Sequence, residues 1–322
     1  MKKAKLITIS GLVLSAVLLF VALRGVVFRE IGRTLQQADL RLLPVPLVFI
    51  AISLCLASFR WSKIAGSGTR FRDTFTALVI GLFVNNVLPA RIGEVARGYV
   101  LSKRTRLSFT LGFSTVLLDR FFDLTGLLLI TLIFMPRQSL PPMVYKALLL
   151  LVLLLLICVA SIILLSREGF ARHVSGKLLS LEKSFLNRLA HRVIEVQENL
   201  KRISSPLMLV SCVLISFVSW MSMSTALYFV ALALGVPVSF TYIPFVCALL
   251  NMGLTVPSSP GYVGVYQFLL VYLLGIFGIP KTQAFTISIL YQASWYIPYI
   301  VIGFIMLARE HLKIRDLRHL EG

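Results

Sequence analysis

The sequence predicts an all-α fold, a polytopic integral membrane helical bundle with two broken or re-entrant helical segments. Hydrophobic residues fill 58% of its 322 positions and the mean hydropathy is +0.90, whereas a soluble domain is usually about 45–50% apolar. Apolar runs alternate with short polar connections, as expected for a bundle of spanning helices. Two runs are interrupted by proline, glycine and amide residues, which predicts the breaks. We expect one transmembrane domain over residues 1–322.

The positive charge of the chain lies between its apolar runs. Lysine and arginine number 32 against 13 acidic residues, a formal net charge of +19. In a soluble protein this excess would suggest nucleic acid. Because the basic residues here lie in short loops, the positive-inside rule and anionic head groups explain them better. We therefore expect a multi-pass protein of the cell inner (plasma) membrane, with both termini cytoplasmic, membrane lipids as partners and no nucleic acid.

No residue pattern indicates a cofactor, a metal site or a catalytic residue. The four cysteines lie inside apolar runs without close spacing, and the four histidines lie in basic loops, so neither set predicts metal ligands or a disulfide framework. Phosphate-binding loops, dinucleotide fingerprints and nucleophile elbows are absent from the sequence. We expect a protein that is not an enzyme.

The first two predicted spans are residues 6–23 and 43–58. The basic start of the chain resembles a signal peptide, but no convincing cleavage site follows, so we expect it to be retained. Arg60 and Trp61 come directly after the second span, and a cation beside an aromatic residue is typical of the membrane interface. The sequence thus places Arg60 at the start of a basic cytoplasmic loop.

The first broken segment covers residues 75–97. Both of its flanks are basic, which assigns both to the cytoplasm. A complete span cannot begin and end on one side, so we interpret the segment as re-entrant, with a break near residues 85–89. Beyond the break, Arg91, Glu94 and Arg97 share one helix face through their three-residue spacing. An ordinary span followed by a basic cytosolic loop is the alternative.

Three ionisable residues lie inside the next predicted span, residues 108–134. Asp119 lies roughly 17 Å along this helix, near the middle of the membrane. Ionisable groups at that depth are costly and usually face the bundle interior or a cavity. The alternative is an internal ion pair, such as Arg120 with Asp123, that only fixes a helix contact.

A charged segment, residues 167–203, lies between two further predicted spans, residues 144–165 and 206–234. Its apolar residues recur every three or four positions, which predicts an amphipathic helix on the inner leaflet. A docking surface for a cytosolic or membrane lipid-modifying enzyme is the rival interpretation.

The second broken segment covers residues 242–277 and precedes the last predicted span, residues 284–307. Its central stretch, residues 251–267, has two prolines, three glycines and no charge. A loop facing water would normally carry charge, so we interpret this stretch as a helix break inside the membrane; a tight external turn is the alternative. Two such breaks in corresponding positions are typical of an inverted-repeat transporter with a central site.

The breaks also carry a resemblance to a known family. The patterns N-x-x-L-P-x-R-x-G-E-x-x-R, D-R-x-x-D and P-x-S-P-G-x-x-G resemble those of the lysylphosphatidylglycerol synthase transmembrane (flippase-like, YbhN-like) family, and the similarity extends over residues 6–307. The first pattern begins at Asn85, next to Asn86, and the other matching residues are Leu88, Pro89, Arg91, Gly93, Glu94, Arg97, Asp119, Arg120, Asp123, Pro257, Ser259, Pro260, Gly261 and Gly264.

This resemblance implies an inner-membrane protein that moves or handles lipids. In larger relatives the module flips aminoacylated phosphatidylglycerol made by a fused soluble domain. The sequence has no counterpart of that domain, so lysyl transfer is not expected. Family members often carry an acidic residue where this chain has Gln267, which weakens any role assigned to that position.

We predict a lipid flippase or lipid-head-group transporter whose substrate is a phospholipid, including an aminoacylated one, or a related lipid. A membrane-embedded enzyme acting on lipid-linked sugar or aminoacyl groups, with Glu94 or Asp119 as general base, is one alternative. An accessory subunit that docks a cytosolic synthase is another. The candidate substrate-binding residues are Asn85, Asn86, Pro89, Arg91, Glu94, Arg97, Asp119, Arg120, Asp123, Pro257, Ser258, Ser259, Pro260 and Gly261.

The motif charges predict the chemistry of the head group. They comprise three arginines and three carboxylates: Arg91, Arg97, Arg120, Glu94, Asp119 and Asp123. Uncompensated charge in a low-dielectric cavity is costly, so an empty site should be close to neutral. A phosphate pairs with an arginine while an amine pairs with a released carboxylate, which favours a head group carrying both signs.

Overall fold

The computed structural model describes residues 2–66, 68–88, 92–136, 203–255 and 259–312, together with separate positions between 140 and 201. Within these residues every regular element is helical, which confirms the all-α prediction. The predicted span 144–165 and the predicted amphipathic segment 167–203 lie mostly outside the described residues. The helices are α1 (Lys2–Leu23), α2 (Phe28–Gln36), α3 (Pro44–Ala65), α4 (Phe71–Val87), α5 (Gly93–Arg104), α6 (Phe109–Ile133), α7 (Pro206–Ala233), α8 (Ile243–Gly253), α9 (Val265–Ile276) and α10 (Lys281–Arg309), with a 3₁₀ turn at Pro260–Tyr262.

Membrane-spanning length and composition are found in three described helices, α3, α7 and α10. The apolar part of α1 forms a fourth candidate together with α2, although the two meet at a bend of 78°. Helix α6 has 25 residues, about 37 Å at the usual rise, but carries three ionisable side chains. Ser108 and Ser205 cap α6 and α7 by accepting from backbone N–H groups, which fixes where both helices begin.

The second span is longer than predicted, and its end is buried. Helix α3 continues to Ala65, and both Arg60 and Trp61 are fully shielded from solvent. The interpretation of this pair as an interfacial anchor ahead of a cytoplasmic loop is therefore wrong. A buried arginine is tolerated when carboxylates and hydroxyl groups satisfy its donors, and such partners lie on α6 and α7.

The first predicted break separates two short antiparallel helices, α4 and α5, which we call hairpin 1. Asn85 lies against Gly93 next to the break, and Asp73 binds Arg104 at the open end. Midway, a side chain on Gly81 would strike Arg97 and the carbonyl of Gly93, so the backbones are in close contact. With 17 and 12 residues, the helices reach about 25 and 18 Å, less than the roughly 30 Å hydrocarbon layer.

The second predicted break separates α8 and α9, which form hairpin 2. Tyr242 stacks on Phe277 with ring centroids 4.2 Å apart at the open end, and Gly253 lies against Leu269 near the break, so these helices are also antiparallel. Each has 11 or 12 residues, again too short to span. The 3₁₀ turn lies within the break, and Gly261 and Gly264 adopt φ of 65° and 92° there, a region that glycine enters without strain.

The order of a long helix, a hairpin and a second long helix occurs twice. Helices α3, α4, α5 and α6 form the first half, and α7, α8, α9 and α10 form the second. Contacts of α3 with α4, α5 with α6 and α4 with α10 correspond to those of α7 with α8, α9 with α10 and α8 with α6. Helices α3 and α7 run antiparallel, because Phe49 stacks on Phe229 while Ser53 binds Ser219. The two halves are therefore related as an inverted repeat.

We expect the open ends of the two hairpins to lie on opposite sides of the membrane. In a background without cysteines, Arg72→Cys and Lys103→Cys at the open end of hairpin 1 should react with an impermeant thiol reagent from one side. Ser239→Cys, before hairpin 2, should react only from the other. All three positions are exposed, so access depends on the side alone.

Labelling of Arg72→Cys and Lys103→Cys from different sides would make hairpin 1 a complete crossing and would contradict the inverted repeat.

Candidate functional site

A cavity of about 410 Å³ lies between the two halves of the protein. Both halves contribute to its wall, and both hairpins reach it. One part of the wall is charged or polar and the other is aromatic and aliphatic. The polar and aromatic lining residues include Ser53, Asn85, Glu94, Asp119, Arg120, Asp123, Ser219, Trp220, Asn251, Tyr262, Tyr266, Tyr291, Trp295 and Tyr299.

Arg60 lies behind the charged wall and is the centre of its ion pairs. Its guanidinium donates to Asp119 Oδ1 over 2.7 and 2.9 Å from two nitrogens and contacts Asp123 Oδ1 at 2.8 Å. Its remaining terminal nitrogen donates to Ser216 Oγ at 2.6 Å. These contacts join α3 to α6 and α7, and they satisfy a charge that the bundle has removed from water.

Arg97 is the second buried cation behind this wall. It donates to Asp119 Oδ2 at 2.6 Å and to Glu94 Oε2 at 3.2 Å. The guanidinium carbon lies 4.3 Å from the ring centroid of Trp61, a cation–π arrangement. Trp61 is itself fixed by a 3.0 Å hydrogen bond from Nε1 to Thr115 Oγ1. Asp119 is thus held between two arginines, one on α3 and one on α5.

A third arginine faces the cavity. Arg120 donates to Glu94 Oε2 at 3.1 Å and to Asp123 Oδ2 at 3.0 Å. The exposed side-chain fraction is 36% for Arg120, 26% for Glu94 and 12% for Asp123. For Arg60, Arg97 and Asp119 it is at most 1%. The cluster therefore has a buried layer that fixes the helices and an accessible layer that can exchange partners with a ligand.

The break in hairpin 1 positions Glu94. Asn85 Oδ1, near the end of α4, accepts from the backbone N–H of Gly93 at 2.8 Å, which caps the first turn of α5. Asn85 Nδ2 lies 3.5 Å from Glu94 Oε1. A side chain on Gly93 would collide with Gly81 and Asn85, so glycine permits this close approach. The break in hairpin 1 thus places the Glu94 carboxylate in the wall of the cavity.

The opposite wall is aromatic. Trp295 lies 5.6 Å from Tyr266 and 5.9 Å from Tyr299 between ring centroids, and Tyr266 lies 6.3 Å from Tyr291. The polar groups of these side chains are hydrogen-bonded within the protein. Trp295 Nε1 donates to Tyr266 Oη at 3.3 Å, and Tyr291 Oη donates to the Met223 carbonyl at 3.0 Å. The ring faces remain as an apolar surface facing the cavity.

The second break is supported by two buried glutamines. Gly264 N–H donates to Gln267 Oε1 at 2.6 Å, and Gln292 Nε2 donates to the Gly261 carbonyl at 2.7 Å. Gln267 and Gln292 are hydrogen-bonded to each other. Gln267 therefore caps α9 and stabilises the irregular turn from behind the cavity wall.

The structure brings together five of the predicted site residues. Asn85, Glu94, Asp119, Arg120 and Asp123 all line the cavity. This arrangement joins residues that are up to 38 positions apart in the sequence.

The remaining candidates do not line the cavity or lie outside the described residues. Arg97 lies behind the charged wall. Asn86 is buried away from the cavity, and its Nδ2 has no hydrogen-bond partner in the described residues. Ser259, Pro260 and Gly261 do not line the cavity, whereas their neighbour Tyr262 does. Pro89, Arg91, Pro257 and Ser258 are outside the described residues.

Sequence reasoning missed two parts of the site. Arg60 was assigned to a loop because basic residues follow it. The aromatic residues of the opposite wall lie in apolar runs, where nothing in the sequence distinguishes them from other residues of a membrane span. A helical projection of residues 44–65 would have given a signal for Arg60, since Ser53 and Arg60 are seven positions apart and share one face. The charge balance predicted from the motifs did not include Arg60, and Arg91, which it did include, lies outside the described residues.

The fold and the cavity define a class: a multi-pass helical membrane protein with two broken hairpins around an amphiphilic site. The chain matches the family model described as lysylphosphatidylglycerol synthase TM region over residues 8–303. It therefore belongs to that family.

Several archaeal UPF0104 membrane proteins are similar to this chain. One from Methanocaldococcus jannaschii is 26% identical over 70% of the chain and 93% of the relative. One from Pyrococcus horikoshii is 26% identical over 98% of the chain and 99% of the relative. A third, from Methanothermobacter thermautotrophicus, is 25% identical over 81% and 80%.

We expect Arg60→Met to destabilise the protein strongly, by about 3–5 kcal/mol, because it leaves two carboxylates without their shared partner in a buried site. The matched change Arg104→Met removes an arginine whose ion pairs are partly exposed, so it should cost about 1 kcal/mol or less. Thermal and denaturant unfolding of the two purified variants in one detergent measures the difference. Equal losses would show that burial of the Arg60 cluster does not govern stability.

Proposed function

We propose that the protein moves a phospholipid with a zwitterionic head group between the leaflets of the inner membrane. The observation that carries this proposal is the charged cluster of the described residues: Glu94, Asp119, Arg120 and Asp123 line a largely apolar and aromatic cavity, and Arg60 and Arg97 lie behind them. Membership of a family described by a lipid synthase membrane region agrees with a lipid substrate. A head group with no net charge can enter this nearly neutral site without leaving a net buried charge.

The accessible layer offers partners for both charges of such a head group. A lipid phosphate would pair with Arg120, preferably through two nitrogens, in place of Glu94 and Asp123. The released carboxylates would then bind the ammonium group. Trp220 also lines the cavity, and its buried indole N–H has no acceptor within the described residues, so it is available to a head-group oxygen. An ethanolamine or aminoacyl phospholipid provides these groups.

The aromatic wall suits the part of the lipid next to the head group. Ligand sites are usually apolar with a few oriented polar groups, and tyrosine and tryptophan favour the region between head groups and acyl chains. A cavity of about 410 Å³ holds a head group and its glycerol, so the acyl chains would extend between helices into the membrane. This is the arrangement that head-group transport requires.

The two hairpins are the elements that would open the site alternately. In inverted-repeat transporters, one half rocks against the other around a fixed central site. The open end of hairpin 1 is rich in arginine and lysine, whereas residues 204–280 carry no charged side chain at all. The positive-inside rule then assigns hairpin 1 to the cytoplasmic side and hairpin 2 to the outer side, with both termini cytoplasmic.

We expect Glu94→Gln to lower lipid transport about tenfold or more, because a charge-assisted hydrogen bond is worth about 1.5–3 kcal/mol. The measurement uses proteoliposomes that contain a fluorescent phosphatidylethanolamine, and it follows loss of fluorescence when a membrane-impermeant reductant is added. Glu310→Gln is the matched control, since Glu310 also pairs with an arginine and is 24% exposed against 26% for Glu94. It lies at the end of α10, away from the cavity.

Thermal unfolding of each variant separates loss of transport from loss of folding. Equal transport by Glu94→Gln and the wild type would contradict the assigned site, and chemical alteration of the recovered lipid would favour the enzyme alternative.

We also expect zwitterionic head groups to compete better than purely anionic ones. Unlabelled phosphatidylethanolamine should inhibit transport of the fluorescent lipid more strongly than phosphatidylglycerol. Asp123→Asn should reduce that preference, because it removes a carboxylate that would receive the ammonium group. The measurement is the ratio of the two inhibition constants. A ratio of one that Asp123→Asn leaves unchanged would contradict the zwitterionic assignment.

A further inference from the structure

A second hollow lies at the open end of hairpin 1, apart from the cavity between the two halves. It has a volume of about 660 Å³ and is formed by the loop that precedes α4 and the loop that follows α5. Its wall is mostly polar or charged. The lining residues are Gly68, Thr69, Arg70, Asp73, Arg104, Thr105, Arg106 and Leu107.

The wall of this hollow is positively charged. It contains three arginines and one carboxylate. Asp73 is already occupied, since it accepts from Arg104 Nε at 3.1 Å and from the backbone N–H of Arg70 at 3.1 Å. Arg104 also pairs with Glu310. Arg70 and Arg106 are exposed and have no ion-pair partner within the described part of the chain, so two guanidinium groups remain available.

A buried hydroxyl in the same wall also lacks a partner. Thr69 Oγ1 is shielded from solvent and makes no hydrogen bond within the described residues. An unsatisfied buried polar atom is costly and calls for an explanation such as an unseen ligand. A hydroxyl can donate to an anion oxygen. The wall of the hollow therefore contains a hydroxyl group without a partner, together with two available guanidinium groups.

Within the described residues, the open end of hairpin 2 contains no arginine of its own. Tyr242 and Phe277 stack there, and residues 235–280 carry no charged side chain. Lys281, which follows directly, donates to the backbone carbonyls of Val21 and Arg24. The inverted repeat would supply the same backbone scaffold on both sides. The arginines are thus a specific addition at the end proposed to face the cytoplasm.

We propose that this hollow binds a phosphate group, with Arg70 and Arg106 as its principal ligands and Thr69 as a hydrogen-bond donor. Guanidinium groups bind phosphate oxygens through paired N–H donors. Basic pockets at the cytoplasmic face of membrane helices bind anionic lipid head groups. Because its ligands come from both loops, a bound phosphate would hold the two open ends of hairpin 1 together.

The experiment measures retained lipid in nanodiscs of phosphatidylcholine that contain a minor fraction of phosphatidylglycerol. The bound lipids are counted by native mass spectrometry of the released protein. Two double variants are compared with the wild type, R70Q/R106Q and R72Q/K103Q. Both remove two positive charges from the same end of hairpin 1, but Arg72 and Lys103 are exposed and do not line the hollow. Thermal unfolding confirms that each variant is folded.

We expect R70Q/R106Q to retain about tenfold less phosphatidylglycerol and R72Q/K103Q to retain as much as the wild type. If R70Q/R106Q does not fold, R70K/R106K replaces it; that variant keeps the charge, loses the paired donors and should bind more weakly than the wild type.

Inorganic phosphate distinguishes the two sources of the phosphate group. A free phosphate is the ligand if inorganic phosphate raises the melting temperature of the wild type and of R72Q/K103Q but not of R70Q/R106Q. A lipid is the ligand if only phosphatidylglycerol gives that difference. If the two double variants respond equally to inorganic phosphate and to phosphatidylglycerol, general surface charge explains the binding and the proposal is overturned.

Discussion

The buried pairing of Arg60 and Arg97 with Asp119 is the interaction on which the site depends. Removing three charged side chains from water costs several kcal/mol for each ion, and only close, well-directed partners offset that cost. Their mutual contacts of 2.6–2.9 Å hold α3, α5 and α6 in one arrangement. Glu94, Arg120 and Asp123 can then face the cavity without shifting the helices, because the buried members of the cluster already hold the helices in place.

The two hairpins share one constraint. Inside a membrane, the backbone N–H and C=O groups at the interrupted helix ends need hydrogen-bond partners from the protein. Chain ends of short helices leave N–H and C=O groups that water cannot reach there. In hairpin 1 the Asn85 side chain caps α5, and in hairpin 2 the Gln267 side chain caps α9. Both solutions use an amide, which brings no charge of its own. The helix ends on either side of each break therefore lie next to the cavity, and in hairpin 1 the first turn of α5 supplies Glu94.

The inverted repeat gives the protein two similar scaffolds with different chemistry. The first half provides the six charges of the cluster and the basic open end of hairpin 1. The second half provides the aromatic wall around Trp295 and, in hairpin 2 and its connections, residues 235–280 without a charged side chain. A lipid needs both kinds of surface at once, because its head group is polar and its remainder is apolar. The two halves together therefore form an amphiphilic site that neither half contains alone.

The sequence by itself determined the fold class, the two breaks and most of the charged site. Apolar run length, helix-breaking residues and isolated charges are local signals, and the membrane makes each one costly to misplace. Only the tertiary structure decided that Arg60 is buried, that Arg97 lies behind the wall and that the aromatic side chains of α9 and α10 face the same cavity as Glu94. These facts depend on which helix faces meet across sequence separations of 22 residues for Arg97 and Asp119, 59 for Arg60 and Asp119, and 201 for Glu94 and Trp295. Local periodicity carries no information about the partner of a face.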